Sequence, residues 1–206
     1  MLLAVVADDK LKEELLFQGL KEGTRIEWLN KVDEFAGYPD ADAFIDLLFE
    51  ISNDRILALK KWLPNPVIVN SIISLPENFI RINGWPTFLK RSVAEATCQN
   101  ETLGMKAEQI LSCFNKKIEW TPDISGFISS RIIAMIINEA YFVLEEKVST
   151  KKEIDMAMKL GANYPYGPFE WSEKIGLKKI FDLLSEMSKL NRRYEPAPLL
   201  KKETTI

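Results

Sequence analysis

Short apolar runs alternate with helical patterns as far as residue 122, and beyond Ser125 the alternation stops. That change of period constrains the fold more than any other feature. Strands alternating with helical crossovers build a parallel sheet, whereas consecutive helices can only pack on one another. Residues 2–8 (LLAVVAD) form an apolar run bounded by acids, which suits a buried parallel strand. A helical pattern follows, with Leu11, Leu15, Leu16 and Leu20 on one face and Gly23 just past its end. Further strands are expected at 25–29, 43–49 and 67–70, with a helix over 53–63 closed by Pro64 and Pro66. Residues 80–82 and 117–121 read as short strands, 92–97 as a strand or an irregular segment, and 101–114 as a helix.

From residue 123 onward the pattern is helical throughout. Residues 127–146 (FISSRIIAMIINEAYFVLEE) are apolar on more than one face, as expected of a helix buried among others. Arg131, Asn138 and Glu139 interrupt the run and argue against a membrane span. Thr150 and Glu153 match a capping box. The helix they open is expected to reach Leu160 and stop at Gly161. Pro165 and Pro168 punctuate a loop, and 176–190 reads as a further helix. Two domains follow, 1–122 and 123–206.

Composition removes several classes of function. A net charge of −3 gives no basic footprint for nucleic acid. The opening MLLAVVADDKLKEE lacks the basic start and small-residue cleavage site of a signal peptide. Without a secretion signal, Cys98 and Cys113 read as reduced thiols of a cytoplasmic protein. The chain contains no histidine, so the commonest transition-metal ligand is missing and no metal site is expected.

Residues 155–171 read DMAMKLGANYPYGPFEW. Upstream stand Gly126-Phe127-Ile128 with Arg131, then Asn138-Glu139-Ala140; downstream the chain runs from Tyr194 to Leu200 as YEPAPLL. These strings resemble the C-terminal domain of 3-hydroxyacyl-CoA dehydrogenases, with its Gly-Tyr-Pro-x-Gly-Pro-Phe-Glu signature. A weaker resemblance runs through Ala41-Asp42 with Phe49-Glu50, through 70–75 (NSIISL), and through 78–86. The resemblance implies an α/β fold: a shortened Rossmann-like parallel sheet domain, then an all-α dimerisation domain of the 6-phosphogluconate dehydrogenase C-terminal type. It also implies NAD as cofactor, an acyl-CoA ligand, and a homodimer formed through the C-terminal helices.

That family uses a histidine to take the hydroxyl proton while hydride leaves for NAD, and a glutamate to orient the histidine. At the matching position this chain has Asn83, whose carboxamide has no proton affinity at neutral pH. Glu95, twelve residues on, stands at the spacing of the glutamate but lacks an imidazole, and so reads as a surface or structural carboxylate. The family's substrate-site serine maps near Ile73, beside Ser74, and its asparagine after Gly-Phe-Ile maps to Ser130. The glycine-rich turn that cradles a pyrophosphate is replaced by Ala7, Asp8 and Asp9, which would cap the helix themselves and repel the ligand.

Three readings follow. The chain is a degenerate relative in acyl-CoA metabolism, a pseudoenzyme that binds acyl-CoA or serves assembly. Alternatively it is an active oxidoreductase on 3-hydroxyacyl-CoA or a similar 3-hydroxy acid, with Glu95 in place of the imidazole. As a third reading it is a structural module whose helices form a homodimer.

Overall fold

The apolar runs of the first half pair into one sheet: β1 (Leu2–Val6), β2 (Arg25–Leu29), β3 (Ala43–Asp46), β4 (Val67–Asn70), β5 (Ile80–Ile82), β6 (Val93–Thr97) and β7 (Lys117–Trp120). Their order across the sheet is β2-β1-β3-β4-β5-β6-β7. Every neighbouring pair is parallel except β5 and β6. The computed structural model describes residues 1–75 and 78–205. They divide into two units, Met1–Phe127 and Ile128–Ile206. The division falls after Phe127, whereas the change of sequence pattern put it at residue 122.

In the first unit both faces of the sheet are covered at its centre, which is why β1, β3 and β4 are apolar without alternation. Leu3, Val5, Ile45, Ile68 and Ile82 pack on Leu15 of α1 (Asp9–Leu16), on Ile110 and Leu111 of α3 (Glu101–Ser112), and on Phe114 in the turn after α3. Ala4, Val6, Phe44 and Val69 face the other way, towards Phe35, Leu59 and Trp62. There Phe44 lies 5.0 Å from Phe35 and 4.4 Å from Trp62, centroid to centroid. Leu59 and Trp62 come from α2 (Asn53–Lys60) and the turn after it.

Two connections depart from expectation. α1 stops at Leu16, short of Leu20, because the chain turns at Gly19 with a φ of +85°. Between β2 and β3 the chain uses only a 3-10 turn over Val32–Gly37 and crosses β1 to reach the far side. β1 therefore has β2 on one flank and β3 on the other. Chains of this kind place ligands outside the carboxyl ends of the strands at such a reversal.

The second unit is all helical: α4 (Ser129–Glu145), α5 (Lys151–Ala162), α6 (Pro168–Ile175), α7 (Leu177–Ser188) and α8 (Pro198–Thr204). The capping box of Thr150 and Glu153 is present. α5 runs through Gly161 and ends instead at Asn163, whose left-handed φ of 54° closes the helix. α6 and α8 were not apparent in the sequence, where Pro168 read as loop punctuation and 194–200 only as a matching string. Pro168 and Pro198 instead open helices, a position where the missing amide is no loss.

Asp155, on α5, caps α6: its carboxylate accepts from the Phe169 amide at 2.8 Å and the Glu170 amide at 3.3 Å. A Cβ on Gly167 would lie 2.2 Å from that carboxylate, so only glycine fits. The Asn138 side chain accepts from the Ala197 amide at 2.8 Å and donates to the Glu195 carbonyl at 2.9 Å, which fixes the start of α8. Among the described residues no helix is long and apolar enough to cross a membrane.

Candidate functional site

Asn83 leaves β5 and Glu95 sits within β6, the antiparallel neighbour, so backbone pairing alone brings the two together. The Asn83 amide donates to the Glu95 carbonyl at 3.1 Å. Ala94 and Ala96 face α3, so alternation along the strand turns Glu95 to the other face of the sheet. The Asn83 Nδ2 then donates to Glu95 Oε2 at 2.8 Å. Asn83 Oδ1 accepts from the Trp85 amide at 3.3 Å, and the residue is 3% exposed. Glu95, read from the sequence as a surface or structural carboxylate, thus has a hydrogen-bonding partner: the asparagine that stands where the imidazole was expected. A carboxamide here can donate to an oxygen or accept from an amide, but it cannot remove a proton.

Asn70, at the end of β4, ties neighbouring strand ends to this pair. Its Nδ2 donates to the Leu47 carbonyl at 3.1 Å and the Gly84 carbonyl at 3.3 Å. Its Oδ1 accepts from the Gly84 amide at 2.9 Å. The approach is so close that a Cβ on Gly84 would lie 2.7 Å from the Asn70 carboxamide. Ser74 belongs to a different network. Its hydroxyl donates to Asp123 at 3.3 Å, and its amide donates to the Ser125 hydroxyl at 3.0 Å. Arg81, 2% exposed, anchors that network through Asp123 at 2.5 Å and the Ser71 carbonyl at 3.0 Å, with its guanidinium 5.1 Å from the Phe127 ring centroid. Burial pushes the Arg81 guanidinium below its ordinary pKa and Asp123 pulls it back. Ser130 belongs to the second unit, fully buried in the first turn of α4.

The turn after β1 is occupied by the protein's own acids. Asp8 caps α1, its Oδ1 accepting from the Leu11 amide at 2.8 Å. Asp9, in the first turn of α1, pairs with Lys12 at 3.1 Å. The Asp8 carboxylate takes a helix amide that a pyrophosphate would need, and Ala7 gives the turn no glycine. A dinucleotide does not fit this turn on those terms. At the neighbouring strand end, Asp46 is fully buried and receives two bonds from Arg55, both of 2.7 Å. Burial raises the Asp46 carboxyl and Arg55 opposes the rise.

The sequence reading located Asn83, Glu95, Ser74 and the Asp8 cap, but missed Asn70, Arg81, Asp123 and the Asp46–Arg55 pair. An arginine between isoleucines in a strand, and an aspartate ending an apolar run, were the signals available. Among the described residues no group of acids and thiols could hold a metal ion.

Comparison with known proteins gives these features a context. Residues 126–204 match the family model of the 3-hydroxyacyl-CoA dehydrogenase C-terminal domain. A 3-hydroxyadipyl-CoA dehydrogenase of Escherichia coli K12 is 34% identical over 117 residues, covering 56% of this chain and 25% of the relative. A 3-hydroxybutyryl-CoA dehydrogenase of Bradyrhizobium diazoefficiens is 31% identical over 132 residues, covering 62% of this chain and 45% of the relative. The chain thus matches between a quarter and less than half of the length of these relatives. The crystal structure of (S)-3-hydroxybutyryl-CoA dehydrogenase from Ralstonia eutropha superposes with a TM-score of 0.77 over 99% of this chain and 93% of that one, at 18% identity, and so shares the fold. The signature held by Asp155 and Gly167 lies within the matched segment, and residues 126–204 carry the likeness to the C-terminal domain of 3-hydroxyacyl-CoA dehydrogenases.

Proposed function

We propose that this chain is a degenerate member of the 3-hydroxyacyl-CoA dehydrogenase family that binds acyl-CoA or serves assembly, and does not carry out NAD-dependent oxidation. The reading is carried by the Asn83–Glu95 pair: the carboxylate keeps a hydrogen-bonded partner, and that partner cannot act as a base. The absence of histidine makes this independent of alignment, since no imidazole is present anywhere in the chain. The Asp8 cap supports the same reading from a second place, the turn where a dinucleotide phosphate would sit.

A homodimer through the helical unit belongs to the proposal. Ile128, the N-cap of α4, Ile132 in its first turn, and Met156 and Leu160 on α5 are exposed apolar side chains that a second copy can cover. Light scattering at micromolar concentration checks this, and a monomer rejects it.

The ligand is tested by calorimetric titration with acetoacetyl-CoA and with NAD, alongside NADH formation from 3-hydroxybutyryl-CoA. Heat from the thioester without heat from NAD, and no NADH formed, is the expected result. Steady NADH formation that Glu95→Gln abolishes would overturn the proposal in favour of an active oxidoreductase with a carboxylate base.

A further inference from the structure

Asn83 and Glu95 lie at the two ends of one connection, and the backbone between them is held from outside by side chains so far without a role. Glu14, on α1, is 2% exposed, and its Oε2 accepts from the Thr87 amide at 2.9 Å. Thr87 has a φ of 74°, a region that a β-branched residue adopts only when its surroundings impose it. Gln18, one turn further along the same face, donates to the Lys90 carbonyl at 2.8 Å. Lys116, which precedes β7 and is 3% exposed, donates to the Leu89 carbonyl at 2.5 Å and the Arg91 carbonyl at 2.9 Å.

Glutamate and lysine are almost never fully buried unless paired. Here a buried carboxylate and a buried ammonium attract one another, yet each directs its hydrogen bonds to the backbone of the same connection. The connection's own turns, Phe88 to Trp85 and Arg91 to Phe88, fix its local shape but not its placement on the sheet. Placement comes from elements far away in sequence.

We propose that Glu14, Gln18 and Lys116 are positioning residues of the Asn83–Glu95 site. They form a three-point clamp on the β5–β6 connection that fixes how its two ends, and so the two side chains, stand to each other. The site in question is that of the proposed function, and the proposal rests on that reading for its significance.

Amide hydrogen exchange on the full chain tests it. Glu14→Ala removes the Thr87 acceptor and is expected to speed exchange at Asn83 and Gly84 by about tenfold, the worth of one buried hydrogen bond. Amides of Val5 and Ile45 in the parallel strands keep their protection. Glu14→Gln retains an acceptor oxygen and restores most of the protection. If Glu14→Ala does not fold, Gln18→Ala at a half-buried position gives the same pattern with smaller amplitude. Wild-type exchange at Asn83 and Gly84 in the folded variants overturns the clamp, as does an equal rise across β1 to β4. A titration with acetoacetyl-CoA separates this from the functional reading: an unliganded wild type with the expected exchange pattern removes the ligand and leaves the clamp standing.

Discussion

Replacing Gly167 with alanine is expected to destabilise the helical unit severely, and for a purely steric reason. The backbone at Gly167 has φ −72° and ψ 165°, extended values that alanine adopts without strain. The added Cβ, however, would lie 2.2 Å from Asp155 Oδ1, 2.3 Å from its Cβ and 2.4 Å from its Cα. Room can be made only by moving α5 away or by displacing the carboxylate that caps α6. Overpacking of a tight site costs about 1–3 kcal/mol. Losing the cap adds about 1 kcal/mol. The sum, about 2–4 kcal/mol, is a large share of the ~5–15 kcal/mol that holds a protein folded. Urea denaturation followed by the helical circular dichroism signal reads it, and with a slope of about 1–3 kcal/mol per molar the midpoint should fall by about 1–2 M. Asp155→Ala should not rescue the variant, because an alanine at 155 keeps the backbone and the first side-chain carbon against which the new methyl collides. A midpoint unchanged within error would refute the steric argument, and full rescue by Asp155→Ala would confine it to the carboxylate.

Lys116 gives a pH signature. Burial lowers its ammonium from 10.5 to about 8, against the pull of Glu14, so between those values the folded chain carries fewer protons than the unfolded one. Stability should therefore rise as pH climbs from about 8 towards 10.5, and the gain should be lost as pH falls back to about 8. Urea midpoints on both sides of that window check it, and Lys116→Met should flatten the rise. Arg55→Ala strands the buried Asp46 carboxylate and should cost about 3 kcal/mol, most of it recovered in the double variant Asp46→Asn, Arg55→Leu; equal stability of both variants would count against the pair. Asn83→His places an imidazole against Glu95, yet with Asp8 still capping α1 it should form no NADH from 3-hydroxybutyryl-CoA and NAD; measurable turnover would show that the Asp8 cap is no obstacle.

Much of this architecture is legible in the residues because burial on two faces leaves a plain mark. Runs such as those around Val5, Ile45 and Ile68 are apolar without alternation, and each becomes a parallel strand. The capping box at Thr150 is local, so its chemistry is contained in four residues. What stayed hidden depends on partners far along the chain. Pro168 read as a breaker, and the helix opened by Pro198 went unread, because nothing nearby says that Asp155 and Asn138 wait to bond the backbone at those helix starts. The pairing of Asn83 with Glu95 rests on an antiparallel turn that 92–97 alone did not declare. Thr87 and Glu14 are 73 residues apart, beyond the reach of any local pattern.

The carboxamide of Asn70 has a consequence for how this molecule ages. Its nitrogen faces the carbonyls of Leu47 and Gly84, and its oxygen faces the Gly84 amide, so both ends are assigned and neither can be exchanged. Hydrolysis of that amide to a carboxylate changes one heavy atom. It would set a negative oxygen against two carbonyl oxygens at a half-buried strand end, with no proton to place between them. The carboxyl edge of the sheet that carries Asn83 would then be pushed apart by a lesion too small to alter the sequence by more than a single mass unit.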